Sequence, residues 1–396
     1  MNNIKKDFPI FTNQPNLIYL DSAATSQKPQ ITINALSQYY DSMNSNIGRG
    51  VYDLARISEE SYIKSKKTIA NFICCKSKNI VYTLGCTESL NLAAHIIKQK
   101  IKKKYIVLPI SEHHANILVW QRISKEMNKE IYWVSNPEEI NNPNLIPEEI
   151  LQNTCVFSLA HVTNVTGEAY PVKKWCELAK KLGAISVIDG AQSITSIKIN
   201  VLDIDCDFYA FSSHKIYGPM GLGVLYIKDK MIDSQPLILG GGIIEDVTTL
   251  DYELLEDISK FESGTPNVAN AFSFSKTLEY LSSNNWDNLI ENTHKIGTYL
   301  EESISNIGLE PISIGKEFSK THITSFVIPN VHAHDVGTFL SLKNIAVRVG
   351  KHCTHPLHSH LKINSSIRAS IGIYNNKEDI DQLINGLKEC IQYFKR

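Results

Sequence analysis

Short runs of β-branched and aromatic residues alternate with segments of helical period over the first two-thirds of the chain. The runs at 18–21, 79–83, 105–109, 131–135, 155–164, 184–189, 208–212 and 223–228 predict strands. Helical periodicity at 29–43, 58–74, 87–100, 115–128 and 173–182 predicts helices between most of them. Strands joined through helices return to one sheet by right-handed crossovers, so the expected class is α/β, with a mostly parallel sheet flanked by helices. Ligands bind such sheets at the carboxyl ends of the strands. The last third has another rhythm. A long helical stretch at 267–307 leads to a strand at 321–329, a helix at 335–343, a strand at 345–349 and a terminal helix at 377–394. That predicts a smaller α+β domain. The turn Gly264-Thr265-Pro266 places the boundary: a large domain over 18–263, and a small one over 264–396 joined by residues 1–17.

Charge and composition narrow the function. With 40 basic and 41 acidic side chains, the net charge of −1 carries no footprint for nucleic acid or an anionic membrane. No window is apolar over the ~18 residues a membrane span needs. The start, Met1-Asn-Asn-Ile-Lys-Lys-Asp7, lacks the apolar stretch of a secretory signal, so a cytoplasmic protein is expected. Its 8 Cys are too sparse for a disulfide framework and are expected as reduced thiols. The question is which of them does chemistry.

The densest signal is Phe208-Tyr-Ala-Phe-Ser-Ser-His-Lys215, a strand that ends in a polar tip. The preceding strand ends in Asp189-Gly-Ala-Gln192. A Lys and an Asp on adjacent strand tips suit pyridoxal 5'-phosphate: the amine binds it covalently, and the carboxylate keeps its ring nitrogen protonated. Ser212 and His214 would add phosphate donors. Taken alone, the two residues read more simply as a surface Lys and a capping Asp. Three other tips point to the same edge. Gly85-Cys86-Thr87-Glu88 joins a strand to a helix N-terminus, a phosphate cradle or a plain N-cap. Glu112-His113-His114 brings imidazoles for stacking or proton transfer, and His161-Val-Thr-Asn164 an amide. Gly218-Pro-Met-Gly221-Leu-Gly223 and Gly240-Gly-Gly242 lack the ending of a nucleotide loop and read as a turn and a connector.

Near the carboxyl terminus, Arg348-Val-Gly-Lys-His-Cys353-Thr-His355-Pro-Leu-His358-Ser-His360 crowds one Cys among histidines. It reads as a metal site, a reactive thiol or an inert surface cysteine. Arg348, Lys351 and Arg368 oppose a cation and favour a thiolate. Gly350 and Pro356 place Cys353 on a mobile loop. Cys74, Cys75, Cys155, Cys176, Cys206 and Cys390 sit in or beside strand or helix patterns and read as packed thiols.

Together these segments resemble the class V aminotransferase-like enzymes, and among them the group II, SufS-type cysteine desulfurases. The resemblance runs from Tyr19-Leu-Asp-Ser-Ala-Ala-Thr-Ser-Gln-Lys-Pro29 through Ser212-Ser-His-Lys-Ile-Tyr-Gly-Pro219 and Phe261-Glu-Ser-Gly-Thr-Pro-Asn267. It ends in Ile345-Ala-Val-Arg-Val-Gly-Lys-His-Cys353 and Arg368-Ala-Ser370. It implies the fold type I of pyridoxal-phosphate enzymes and conversion of L-cysteine to L-alanine, with sulfur left on Cys353 as a persulfide for iron-sulfur cluster assembly. Selenocysteine lyase and cysteine-sulfinate desulfinase are neighbouring activities of the same fold, and a scaffold without catalysis is a further alternative. By resemblance, Lys215 holds the cofactor and moves protons, Asp189 meets its ring nitrogen, Gln192 its ring oxygen, and His113 stacks on it. Cys86, Thr87, Ser212 and His214 take the phosphate, and Thr265 reaches the site of a neighbouring subunit in a homodimer. Asn164, Arg348 and Arg368 hold the substrate carboxylate. The implied partners are a SufU- or SufE-like sulfur acceptor and an iron-sulfur scaffold; His334 resembles a histidine of desulfurases that use a zinc-bearing acceptor. The chain departs from the pattern at Gly48, Tyr52, Cys86, Ser213 and Lys351, and at Thr354-His-Pro-Leu-His358.

Overall fold

The computed structural model describes residues 4–394. Among them, strands β1 (Ile80–Thr83), β2 (Tyr105–Pro109), β3 (Glu130–Val134), β4 (Thr154–Ala160), β5 (Ile185–Asp189), β6 (Phe208–Ser212) and β7 (Gly223–Ile227) form a 7-stranded sheet in the order β1-β7-β6-β5-β4-β2-β3. All run parallel except β7, which is antiparallel to β1 and β6. The reason is the connection. A parallel return needs a crossover of a dozen or more residues, and the stretch between β6 and β7 is too short for a helix of that kind.

Burial on both faces follows from strand alternation. Ile106, Leu108, Val156, Val187, Phe208 and Ala210 face one core, whereas Val107, Phe157, Ile188, Tyr209 and Phe211 face the other. Helices α1 (Gln30–Ser42), α2 (Asp53–Phe72), α3 (Cys86–Lys98), α4 (His114–Glu126) and α5 (Val172–Leu182) occur where helical periodicity predicts them. Gly223 has to be glycine: a Cβ there would lie 2.5 Å from the Cα of Gly85, in the loop that aims α3 at the sheet edge.

The second unit differs from expectation in three ways. First, the stretch 267–307 is not one helix but two, α6 (Val268–Ser283) and α7 (Trp286–Asn306). Asn285 breaks them apart: it adopts φ +57°, and its side chain caps α7. Second, the expected strand 18–21 reduces to Ile18–Tyr19, paired in parallel with Ile345–Ala346. Third, Ser366–Ser370 is a strand that periodicity does not reveal. With β8 (Ile323–Phe326) and β9 (Arg348–Gly350), it forms a 3-stranded antiparallel sheet in which it, β10, is central. Helices α8 (Ala333–Ser341), α9 (His355–His360) and α10 (Lys377–Phe394) complete this part of the chain.

Packing crosses the division expected at 263/264. In α6, Ala269, Ala271 and Phe272 pack on Ala35, Tyr39 and Tyr62, and Trp286, Leu289 and Ile290 join the core of the large sheet. Phe8 lies in that same core, against Tyr217 and Tyr374. The core of the small sheet takes Leu300 and Ile304 and, from the start of the chain, Ile18 and Leu20. Helix α7 thus shares its apolar residues between the two cores, its first turns with the large one and its last with the small one.

Two buried polar devices tie the units together. Glu168, with no exposure, accepts from Thr166 Oγ1 (2.7 Å), Ser313 Oγ (2.6 Å) and the Ile314 N–H (2.9 Å), and pairs with Lys320 at 3.1 Å. Glu168→Ala strands the Lys320 charge and several donors, and should cost about 3 kcal/mol; an unchanged urea midpoint would refute this. His161 and His322 are buried beside Tyr209 and Thr195, and burial pushes them down to about 4 and about 3. Both folded values lie below the usual ~6.5, so the unfolded chain binds these protons first and stability falls as pH drops. Thermal melts should lose midpoint between pH 6.5 and 4 in wild type. His322→Asn should flatten that slope.

Candidate active site

Parallel strands deliver their carboxyl ends to one edge, and there a cavity of about 320 Å³ opens. The expected residues Cys86, Thr87, His113, Asn164, Asp189, Gln192, Ser212, His214, Lys215, Arg348, Cys353 and Arg368 all line it. Thr265 does not; it lines a separate wide depression with Arg49, Gly242 and Pro266.

At the sheet side, Asp189 ends β5 and is buried. Its Oδ1 accepts the Ala191 N–H at 2.9 Å and the Cys86 thiol at 3.4 Å. Burial, then the Asp189 charge, push Cys86 well above the ordinary thiol range, so it is a neutral donor. Cys86, expected at the phosphate end of the site, gives its thiol hydrogen to Asp189 and its N–H to Ser212 Oγ at 2.7 Å. Ser212 keeps its own O–H to give. Thr87 stands in the first turn of α3, where N–H groups lack intrahelical partners and the dipole favours an anion. His214 and Lys215 follow β6 in a short turn. Burial lowers the proton affinity of Lys215, and Asp189 opposes the shift. The turn is held by its own backbone: the His214 carbonyl accepts from Ser26 N–H (3.1 Å), Ser26 Oγ (3.0 Å) and Lys28 Nζ (2.9 Å).

His113 caps α4, with Nδ1 accepting the Ala115 N–H at 3.1 Å. That bond requires Nδ1 unprotonated, so a neutral ring carries hydrogen on Nε2. Burial, then the charge of Lys215, push His113 down to about 3. The ring stays neutral at working pH.

The small sheet supplies the opposite wall. Arg368, 3% exposed on β10, donates to the Asn164 carbonyl (2.9 Å) and to Asp21 (3.3 Å). Arg348 forms a fork with the same Asp21 at 3.1 and 2.9 Å. Asp21 is a residue that motif reading left without a role; the signal was its place in Tyr19-Leu-Asp-Ser-Ala-Ala. By neutralising part of the cationic wall, it leaves less positive charge for a thiolate than the sequence suggests.

Cys353 is exposed at the rim. His352 and Cys353 adopt φ +48° and +55°, a region unfavourable to residues with a Cβ. The mobile loop expected here is instead tied on all sides. Asn164 Nδ2 donates to the His352 carbonyl (2.7 Å), Thr354 Oγ1 donates to Asn164 Oδ1 (3.1 Å), and the His114 N–H donates to the Cys353 carbonyl (2.8 Å). Asn164 thus spends its amide on the loop. The histidine crowding does not converge either: His352 and His358 meet Ser366, and His355 meets His114 at 2.9 Å. Among the described residues, no group of 3 or more His, Cys, Asp or Glu is placed to hold a metal ion.

Known proteins with this arrangement are numerous. The family model for Aminotransferase class-V matches residues 18–383. A protein of Halalkalibacterium halodurans named "Probable cysteine desulfurase" is 37% identical, covering 99% of this chain and 98% of its own. One of the same name from Staphylococcus aureus is 37% identical over 100% of this chain and 97% of its own. Among solved structures, the apo cysteine desulfurase of Thermococcus onnurineus superposes with a TM-score of 0.93 at 33% identity, covering 98% of this chain and 97% of that one. The cysteine desulfurase CsdA of Escherichia coli, solved as an S-sulfonic acid, gives 0.91 at 29% identity, covering 99% of each chain. With the family model spanning most of its length and the sheet edge built as described, this chain belongs to the class-V aminotransferase family.

Proposed function

We propose that this protein is a pyridoxal-phosphate-dependent cysteine desulfurase that converts L-cysteine to L-alanine and retains the sulfur as a persulfide on Cys353. The observation that carries the reading is an exposed thiol, Cys353, on the wall of the cavity that also holds Lys215, Asp189 and Arg368. Full-length relatives bearing the desulfurase name support it.

The donor set fits pyridoxal phosphate. Gln192 Oε1 and Arg368 Nε are buried without a protein partner, so the cavity walls are left short of polar contacts. Thr87, Ser212, His214 and the α3 N-terminus would hold the phosphate, Asp189 the ring nitrogen, and Gln192 the ring oxygen. Lys215, favoured as a free amine by burial, would bind the cofactor covalently. When bound, the cofactor supplies an electron sink that stabilises negative charge at the substrate Cα.

The remaining chemistry belongs to the chain. Arg368 takes the substrate carboxylate in a pocket where a charge-assisted bond is strong. Arg348 and Asn164 act beside it, the latter by shaping the rim. Lys215 removes and returns protons at Cα. Neutral His113 would face the cofactor ring and has its Nε2 hydrogen free to donate. The Cys353 thiolate attacks the substrate sulfur: an S–S bond forms, the substrate C–S bond breaks, and the proton from the thiol ends on alanine.

The same reading includes a homodimer in which Thr265 serves the partner's site. Thr265 lies away from its own cavity, and the exposed apolar side chains Val51, Tyr52, Met220 and Leu239 would be covered by such a partner. It also includes a cytoplasmic setting, where the thiols stay reduced; among the described residues, no helix is long and apolar enough to cross a membrane. Sulfur would pass to a SufU- or SufE-like acceptor and an iron-sulfur scaffold. Exposed His334, stacked on His332 at 5.4 Å, stands at the start of α8 as a candidate contact for a zinc-bearing acceptor.

Incubation of the purified protein with L-cysteine should yield alanine and a Cys353 persulfide, with L-selenocysteine and L-cysteine sulfinate as competing substrates. Cys353→Ser should form no persulfide and lose at least ~100-fold in alanine release. Wild type without alanine would sink the reading. Lys215→Ala should release pyridoxal phosphate on dialysis under conditions where wild type retains it.

A further inference from the structure

Ser366 opens β10 and is fully buried. Its Oγ lies 3.0 Å from Nε2 of His352 and 3.0 Å from Nε2 of His358. His358 Nδ1 in turn lies 3.0 Å from the carbonyl oxygen of Thr354. These contacts determine where the hydrogens sit. A carbonyl only accepts, so His358 Nδ1 carries hydrogen, and the neutral ring leaves Nε2 as an acceptor. The Ser366 hydroxyl has two acceptors in reach, His358 Nε2 at 3.0 Å and the Gly350 carbonyl at 3.5 Å; the shorter contact takes its hydrogen, and its lone pair accepts from His352 Nε2. Burial holds both rings neutral, with His352 pushed down to about 2 and His358 lowered.

Every donor in the series now points the same way: His352 to Ser366, Ser366 to His358, His358 to Thr354. The two ends of the relay are the residues on either side of Cys353. Hydrogen bonds and backbone thus close a ring that runs through the Cys353 main chain. The ring has something to oppose. His352 and Cys353 both hold positive φ, a region that residues with a Cβ adopt only when the surrounding structure holds them there. Without the relay, the bonds from Asn164 and His114 remain, but the strained turn is less tightly held and the thiol is free to move.

We propose that Ser366 and His358 are positioning residues that fix Cys353 at the rim of the cavity for sulfur transfer. The proposal rests on the desulfurase reading for its purpose, although its geometry does not. Neither residue lines the cavity, so neither is a catalytic group.

The test compares wild-type, Ser366→Ala and His358→Met holoenzymes by two measurements. One is steady-state alanine formation from L-cysteine. The other is the rate of iodoacetamide alkylation at Cys353, followed by mass. Loss of the relay should lower kcat about tenfold while KM stays within about twofold, because substrate binding does not use these groups. Alkylation should quicken by about five- to tenfold as the thiol is freed. A merely structural role would lower the melting temperature and leave both per-molecule readouts alone, and that result would overturn the proposal. Should Ser366→Ala fail to fold, His358→Met decides by the same criteria. If wild type forms no alanine, the desulfurase reading falls, and the alkylation comparison alone decides whether the ring holds Cys353.

Discussion

Strands in a parallel sheet all end at the same edge, and everything chemical in this protein depends on that constraint. Asp189, Ser212 and Asn164 are far apart along the chain, yet β4, β5 and β6 are neighbours and bring them to one cavity. The requirement that both faces be covered keeps the strands mostly apolar, with interior exceptions such as Ser158 and Ser186 hydrogen-bonded to Asn116 and Asp207. Antiparallel β7 belongs to the same logic. Its close pairing against β1 leaves room only for glycine at 223, and so guides the loop that sets the α3 N-terminus at the edge.

Charge in that cavity is managed by pairing. Asp189 has the Cys86 thiol and the Ala191 N–H, while Asp21 serves both Arg348 and Arg368. Burial acts on the bases in one direction, leaving His113 neutral and Lys215 less basic than in water. Such a site suits an amine nucleophile and a carbanion at neutral pH. It also places a cysteine at the rim, on a segment whose backbone is strained and whose neighbours are tied down.

Much of this was legible in residue order. The alternation of strand and helix patterns specified the sheet, and residue type at the tips singled out Lys215, Asp189, His113 and Cys353. Other features were not legible, for physical reasons. β10 reads Ser-Ile-Arg-Ala-Ser, and its polar positions look like loop because their partners, Asp21 and the 352–358 segment, are distant in sequence. The contact of the Cys86 thiol with Asp189 was hidden, because the two residues are 103 positions apart. The division at 264 followed a turn signal, whereas apolar contacts carried α6 and the start of α7 to the large core.

By itself, then, the order of residues determined the class of fold, the edge at which chemistry occurs and the residue types there, since each depends on periodicity and local pairing. Only the tertiary structure decided which side chains are spent on one another. Asn164 holds the cysteine loop, Asp21 quenches the arginines, and His352 and His358, on either side of Cys353, turn inward to Ser366. Those assignments depend on distance and on the finite number of donors and acceptors each group has. A linear sequence shows neither.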